Sequence, residues 1–313
     1  MNEASSAGDR IDLLQTFVRI VESGSLSAAA SRMDTTQPTI SRRLQALERH
    51  FGVRLLQRST HAITLTPDGE RCLAMARSLI DAWQSMQEDL RGSRHAPSGT
   101  LKVLMPHALG QSQLVEPLAD YLRAYPDMQV EWLLHDRRLD FAAEGIDCAV
   151  QVGEIADPSV VVVPLFPLPR IVVASPILLG RRKPPRSPEG LHELPWLALQ
   201  TFYRDRVDLH RTDGTDSHAF DIRPRLRTDS LYALRSAALA GLGVGIVSAW
   251  LVADDLKAGR LVQLVPAWAA PPLPVQLIYP YAPFYPARLR RFLEVIKAYG
   301  QQQTAWAKER ATP

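Results

Sequence analysis

The stretch from Ser25 to Phe51, SLSAAASRMDTTQPTISRRLQALERHF, decides the fold of this 313-residue chain. Its spacing predicts two short helices joined by a tight polar turn. Ala28, Ala29 and Ala30 are small enough for the first helix to pack closely under the second. Ile40, Leu44, Leu47 and Phe51, spaced four, three and four, form one buried face of the second. The opposite face carries Gln37, Thr39, Ser41, Arg42 and Arg43, residue types that reach phosphates and base edges. This is the pattern of a helix-turn-helix, and it points to DNA.

Outward from this motif, Ile11, Leu14, Phe17, Val18 and Val21 predict a supporting helix that ends at Gly24. Downstream, Gly52 stops the second motif helix, and VRLLQRSTHAITLT reads as a hairpin wing with Arg58, Ser59 and His61 at or near its tip. From Gln37 to His61 five arginines face one acid, Glu48, so the segment carries a local charge of +4. The net charge of +3 is too small to argue for nucleic acid by itself. The 31 arginines against 5 lysines reflect a chain-wide bias.

Thr66-Pro67-Asp68 starts a helix with a hydroxyl cap, an early proline and an acid. Cys72, Ala76, Leu79, Trp83, Met86 and Leu90 then follow a heptad seam, which predicts a dimerising linker helix. A helix packed on its own domain is the alternative source of that pattern. Residues 92–99 read as a hinge.

Beyond Thr100 strands alternate with helices, which predicts parallel sheets with ligand crevices at their carboxyl ends. Prolines at 163–167 and 264–266 mark two crossings between lobes, the last helix runs from Pro286 to Tyr299, and residues 301–313 read as a disordered tail. The expected organisation is therefore a DNA-binding domain at 10–66, a linker helix at 67–91 and an effector domain at 100–300. Within the effector domain, lobe I comprises 100–163 and 268–300, and lobe II comprises 167–265.

No apolar run reaches the roughly 18 residues that span a bilayer, and the N-terminus lacks the apolar core of a signal peptide. With Cys72 and Cys148 read as reduced packing residues, this predicts a cytoplasmic protein without membrane partners. The eight histidines show no zinc-like spacing, so neither metal nor cofactor is expected. Gly241-Leu242-Gly243-Val244-Gly245 imitates a dinucleotide fingerprint, but it follows a helix and precedes a strand, the wrong order for a phosphate loop.

With a winged helix-turn-helix, a heptad linker and a two-lobed α/β region in this order, the chain resembles the LysR-type transcriptional regulators. The resemblance covers roughly residues 10 to 300. It is strongest over GSLSAAASRMDTTQPTISRRLQALERHFGVRLLQRSTHAITLTPDGE and weaker at EGIDCAVQVGEI, ALAGLGVGIV and DDLKAGRLVQLVP. The latter two, with LIYPYAPFYPARLRRFL, suggest the branch with many regulators of aromatic-compound and stress genes. Leu56 stands where the family usually has phenylalanine. Gln151 stands where this branch often has arginine before Gly153. The segment from Pro280 to Pro286 lacks the basic residues common at that place.

The resemblance implies an α/β multidomain protein with a periplasmic-binding-protein-like effector domain. It also implies action as a homodimer or homotetramer on double-stranded DNA in response to a small carboxylate or aromatic effector, with RNA polymerase as a further candidate partner. On this basis Gln37, Pro38, Thr39 and Arg42 are base-edge candidates, Ser41, Arg43 and Arg58 phosphate candidates, and Thr36 the helix cap. Ser59 and His61 extend the DNA contact at the wing. The implied effector positions are Pro106, His107, Ala108, Gln151, Gly153, Thr201, Phe202, Asp229 and Ser230, although helix capping would also account for Asp229. No nucleophile, base and acid can be placed together, so no catalytic residue is expected. The competing reading is a small-molecule-binding protein or enzyme whose N-terminal helices serve assembly only.

Overall fold

The computed structural model describes residues 7–58, 63–90, 97–136 and 141–311. The chain divides into two compact units. One comprises Met1–Gly99, Asp140–Gly145 and Ala282–Arg291, and the other Thr100–Leu139, Ile146–Tyr281 and Phe292–Pro313.

The N-terminal residues form helices α1 (Ala7–Ser23), α2 (Leu26–Arg32) and α3 (Gln37–Phe51). Strands β1 (Leu56–Arg58) and β2 (Ile63–Leu65) follow, then helix α4 (Pro67–Leu90). Ser25 caps α2 by accepting the Ala28 N–H at 3.1 Å. Ile40, Leu44 and Leu47 of α3 join Leu14, Phe17, Ile20, Ala29 and Ala30 in one buried cluster. Each fully buried Leu, Ile or Phe there contributes roughly 1.5–3 kcal/mol.

Phe51 departs from the expected stripe, because 46% of it is exposed. It is the last residue of α3, directly before the left-handed Gly52, and its ring lies tilted against His50. The wing pairs Leu56 with Leu65, Gln57 with Thr64 and Arg58 with Ile63. Glu48, the single acid of the basic segment, fastens this wing to α3. Its Oε1 accepts the N–H groups of Leu55 at 2.9 Å and Leu56 at 3.3 Å.

The heptad seam of α4 splits in two. Cys72 and Ala76 pack into the three-helix core, as the intradomain alternative required. Leu79, Trp83 and Met86 are 54%, 39% and 44% exposed, an apolar row left outside that core.

The chain continues through β3 (Gly99–Met105), α5 (His107–Gly110), α6 (Val115–Ala124), β4 (Met128–Leu134), α7 (Phe141–Glu144) and β5 (Cys148–Val152). Next come β6 (Val160–Ala174), α8 (Pro176–Leu179), β7 (Trp196–Leu199), β8 (Arg206–Arg211), β9 (Ser217–Asp221) and β10 (Pro224–Thr228). The last elements are α9 (Leu231–Leu239), β11 (Gly245–Ser248), α10 (Ala253–Lys257), β12 (Val262–Gln263), β13 (Trp268–Pro280) and α11 (Ala287–Ala311). The main sheet has the order β11-β6-β13-β5-β3-β4, with β12 added on β6 and the β8–β9 hairpin on β13. A second sheet pairs β10 with β7.

Two expectations need correction. The sheets are mixed: β3–β5 and β10–β7 are parallel, whereas β13 runs antiparallel to β5 and β6, and β11 antiparallel to β6. Residues 163–167 lie within the continuous strand β6, and 264–266 directly precede β13. Long strands β6 and β13 pair along most of their length. Their prolines fall around its register shifts, between Ala270 and Leu273 and between Val275 and Gln276, where a missing N–H is tolerated.

The second correction is the tail, because α11 continues through Ala311. The Thr304 hydroxyl lies 3.1 Å from the Leu165 carbonyl and 3.0 Å from that of Gly300, which ties the helix beyond Tyr299 to β6. Among the described residues no helix is long and apolar enough to cross a membrane.

Candidate functional site

The N-terminal half of α3 presents the base-reading candidates. Thr36, Gln37, Pro38 and Arg42 are exposed, while Thr39, Ser41 and Arg43 are half-buried. Thr36 occupies the cap position through its backbone, whose carbonyl accepts the Thr39 and Ile40 N–H groups at 3.0 and 3.1 Å. Its side chain does not cap, contrary to expectation. The hydroxyl lies 3.0 Å from that of Thr39 and bonds no helix N–H. The positive end of the α3 macrodipole is thus covered by neither a side-chain cap nor a first-turn acid, an arrangement that favours a phosphate. Arg58 closes β1, and Ser59 and His61 lie outside the described residues.

In the second unit a cleft that opens to solvent is lined by Pro106, Ala108, Leu109, Asp136 and Val152. Leu168, Arg170, Leu199, Thr201, Phe202, Tyr203, Asp229 and Leu231 also line it, with Ile246, Ser248, Trp250 and Leu273. The lining is mainly apolar with a few polar groups, the character of small-molecule sites. It gathers five of the nine expected positions: Pro106, Ala108, Thr201, Phe202 and Asp229.

The other four stand aside for local reasons. His107 turns along its helix, with Nδ1 3.0 Å from Gln111 Nε2. Gln151 alternates with Val152 on β5, so Val152 takes the cleft side. Gly153 is fastened by its N–H to the Pro274 carbonyl at 2.8 Å. Ser230 is the true cap of α9, accepting the Ala233 N–H at 3.3 Å, which leaves Asp229 to line the cleft.

The polar groups of the cleft differ in what they can offer. Asp136 Oδ1 accepts the His107 N–H at 3.1 Å, so the chain's own carboxylate holds the backbone donor where a ligand carboxylate was expected. Burial pushes the Asp136 carboxyl above its ordinary range. The His107 N–H and the charges of His107 and His135 oppose this, and the negative charge of Asp229 adds to it. Arg170 donates Nε–H to the Pro271 carbonyl at 2.7 Å, and burial lowers its pKa.

The Tyr203 hydroxyl donates to the Leu197 carbonyl at 3.0 Å and accepts the Ile246 N–H at 2.8 Å, and burial raises its pKa. Trp250 is different. Its indole Nε1 is buried with no hydrogen-bond partner among the described residues. Sequence reasoning missed Asp136, Arg170 and Trp250, and the only local signal was that Asp136 and Trp250 each stand two residues past a strand end.

Residues 11–70 match the bacterial regulatory helix-turn-helix protein of the lysR family, and residues 94–301 match the LysR substrate binding domain. The chain belongs to the LysR family of transcriptional regulators. It is similar to the HTH-type transcriptional regulator PtxR of Pseudomonas aeruginosa, at 29% identity over 289 residues covering 91% of each chain. It is also similar to the HTH-type transcriptional activator TtdR of Escherichia coli, at 27% identity with 93% of each covered. Full-length AphB, a Vibrio cholerae virulence activator of the same family, matches over 92% of this chain and 99% of that one. The identity there is 26% and the TM-score 0.58. A full-length OxyR variant from Pseudomonas aeruginosa, 20% identical, shares the fold over 93% of this chain and 94% of that one, with a TM-score of 0.66.

The protein is thus a ligand-responsive LysR-type transcriptional regulator with a DNA-binding winged helix-turn-helix and a two-lobed effector domain. The reading as an enzyme or a binding protein with assembly helices is set aside, because the family match includes the DNA-binding segment itself.

Proposed function

We propose that this LysR-type regulator reads DNA as a dimer or tetramer, through Gln37, Pro38, Thr39 and Arg42 at base edges and Ser41, Arg43 and Arg58 at phosphates. The solvent-facing row Leu79, Trp83 and Met86 on α4 supports self-association, since exposed apolar rows of this kind mark contact surfaces. Two heads then use the same short base contact on spaced half-sites.

The base and phosphate roles separate in a salt titration. Arg42→Ala is expected to weaken a specific operator by about 1–3 kcal/mol, with a much smaller effect on random DNA. Arg58→Ala should weaken both alike and reduce the salt slope by about one unit. Equal, salt-independent losses in both variants would remove these assignments.

The effector seat proposed is the cleft around Phe202, and its occupant a small aromatic or apolar molecule bearing an acceptor such as a carboxylate. The buried and partnerless Trp250 Nε1 carries this reading, because an unmet buried donor costs about 1–3 kcal/mol that a ligand oxygen would recover. Arg170 lines the same cleft and supplies positive charge.

A thermal-shift screen of small aromatics and carboxylates tests it. An effector at about 100 times its dissociation constant should add roughly 2.7 kcal/mol of stability. Trp250→Phe should then weaken binding about 2–10-fold by removing one hydrogen bond. Ligands that bind equally well to Trp250→Phe and Arg170→Met chains would place the effector elsewhere.

A further inference from the structure

The cleft proposed as the effector seat holds charged groups of both signs that do not pair with each other. Asp136 and Asp229 line it together with Arg170. Asp229 makes no hydrogen bond or ion pair among the described residues, because Ser230 takes the capping role beside it. Asp136 uses Oδ1 for the His107 N–H at 3.1 Å and leaves Oδ2 without a partner among the described residues. Both residues reach solvent while lining the cleft, which puts them at its open side. The charges that act on Asp136 are those of His107, His135 and Asp229, and the one that acts on Arg170 is that of Tyr203. The two signs are therefore held apart.

The donors gather deeper in. Ser248 on β11 stands directly opposite Arg170 on β6, and both line the cleft. Ser248 is only 5% exposed, and its hydroxyl, at the head of the 3-10 turn Ala249–Val252, makes no cap hydrogen bond. Trp250, two residues on, adds its buried and partnerless Nε1. Arg170 is anchored through Nε to the Pro271 carbonyl, which leaves its Nη groups unpaired among the described residues. Burial lowers its pKa, as expected of a cation with no anion beside it. A hydroxyl, an indole N–H and a guanidinium are thus unmet together, and charge-assisted donors of this kind suit a carboxylate.

We propose that the effector is amphoteric, with a carboxylate held by Arg170, Ser248 and Trp250, an ammonium held by Asp136 and Asp229, and an apolar frame between. This inference rests on the effector-seat reading above and narrows it. A simple carboxylic acid answers the three donors alone, and it enters a cleft whose two carboxylates repel it. A molecule that also carries an ammonium answers both groups of residues. Because those groups make no ion pair with each other, the ligand's charges belong at opposite ends of its frame rather than on one carbon.

The test is calorimetric titration of the full-length chain with two matched series. The aromatic series is para-aminomethylbenzoate, para-ethylbenzoate and para-methylbenzylamine, and the aliphatic one ε-aminocaproate, caproate and hexylamine. In at least one series the amphoteric probe should bind about tenfold or more tighter than either relative that lacks one charge. Asp229→Asn should weaken that probe about tenfold and tighten the acid that lacks the amine, a rise that unfolding could not produce. Ser248→Ala should weaken the acid and the amphoteric probe about 2–10-fold and leave the amine unchanged. Acids that bind as tightly as their amphoteric partners in both series would overturn the inference, as would an Asp229→Asn chain that keeps the amphoteric probe. The effector seat itself would still stand if Trp250→Phe weakened those acids. A wild-type chain that takes up none of the six probes would also overturn the inference, and the thermal-shift screen would then decide the seat separately.

Discussion

Replacing Gly69 with alanine should abolish operator binding by unfolding the DNA-binding segment. Gly69 sits in the first turn of α4, and a Cβ placed on it would lie 2.0 Å from the Leu55 carbonyl oxygen and 3.1 Å from Leu65 Cδ2. The nearest obstacle is backbone, and that backbone is held from both sides. Glu48 accepts the Leu55 N–H at 2.9 Å, while the Leu55 carbonyl accepts the Thr66 N–H at 3.0 Å. Moving Leu55 aside therefore pulls the wing from α3 and disturbs the cap of α4, where Thr66 Oγ1 accepts the Gly69 N–H at 2.9 Å.

The expected loss exceeds about 3 kcal/mol, above the usual range of about 1–3 kcal/mol for overpacking. Gly52→Ala is the control. It has φ of +71° but nothing within 4 Å of the added methyl, so only the left-handed strain of about 1–2 kcal/mol applies. Circular-dichroism melts with gel shifts on DNA upstream of the gene would decide. A Gly69→Ala chain that melts and binds like wild type contradicts the packing described.

The second large effect is expected at Asp255, whose side chain is sealed from solvent. Oδ2 accepts Arg235 Nε–H at 2.6 Å from α9, and Oδ1 accepts Arg260 Nε–H at 2.8 Å and an Nη2–H at 2.6 Å. The seal is made by the two guanidinium groups rather than by depth, since the Arg260 side chain remains 54% exposed. Asp255→Ala should therefore cost about 2–3 kcal/mol, below the about 3–5 kcal/mol for breaking a fully buried pair, because the freed arginines can turn to water.

Burial by itself would raise this carboxyl, but the hydrogen bonds and charges of Arg235 and Arg260 outweigh it and hold the pKa below the ordinary aspartate value. A depressed folded pKa means the contribution is complete above the unfolded value of about 3.9 and disappears as pH falls through the lower folded value. Chemical denaturation from neutral pH to below 4 should show that loss in wild type and its absence in Asp255→Ala. Identical slopes would show that Asp255 does not titrate as described.

The DNA-reading segment was legible in the sequence because it is built from local rules. Ile40, Leu44 and Leu47 lie within one helix, so their spacing reports the buried face directly, and Thr66 caps within three residues. Phe51 fits the same spacing yet is exposed, because periodicity does not show where a covering partner ends. The long strands were hidden by prolines: VVVVPLFPLPRIVVA reads as two pieces unless β13 is known to pair alongside it with compensating register shifts. The β8–β9 hairpin was missed because its exposed face is rich in arginine, aspartate and histidine.

The candidate cleft was half legible. Pro106, Thr201 and Asp229 stand at strand ends, where α/β folds place ligands. Arg170 lies inside a strand, and nothing local marks the unmet N–H of Trp250.

The sequence by itself determined the helix-turn-helix, the wing, the cap of α4 and the family, because contacts between neighbours in the chain leave periodic and capping signatures. Only the tertiary structure decided which residues of α4 remain outside the core, which strand faces line the cleft, and that Ser248 stands opposite Arg170. Those outcomes depend on pairing between distant segments, and a single residue's register selects the face on which each side chain falls.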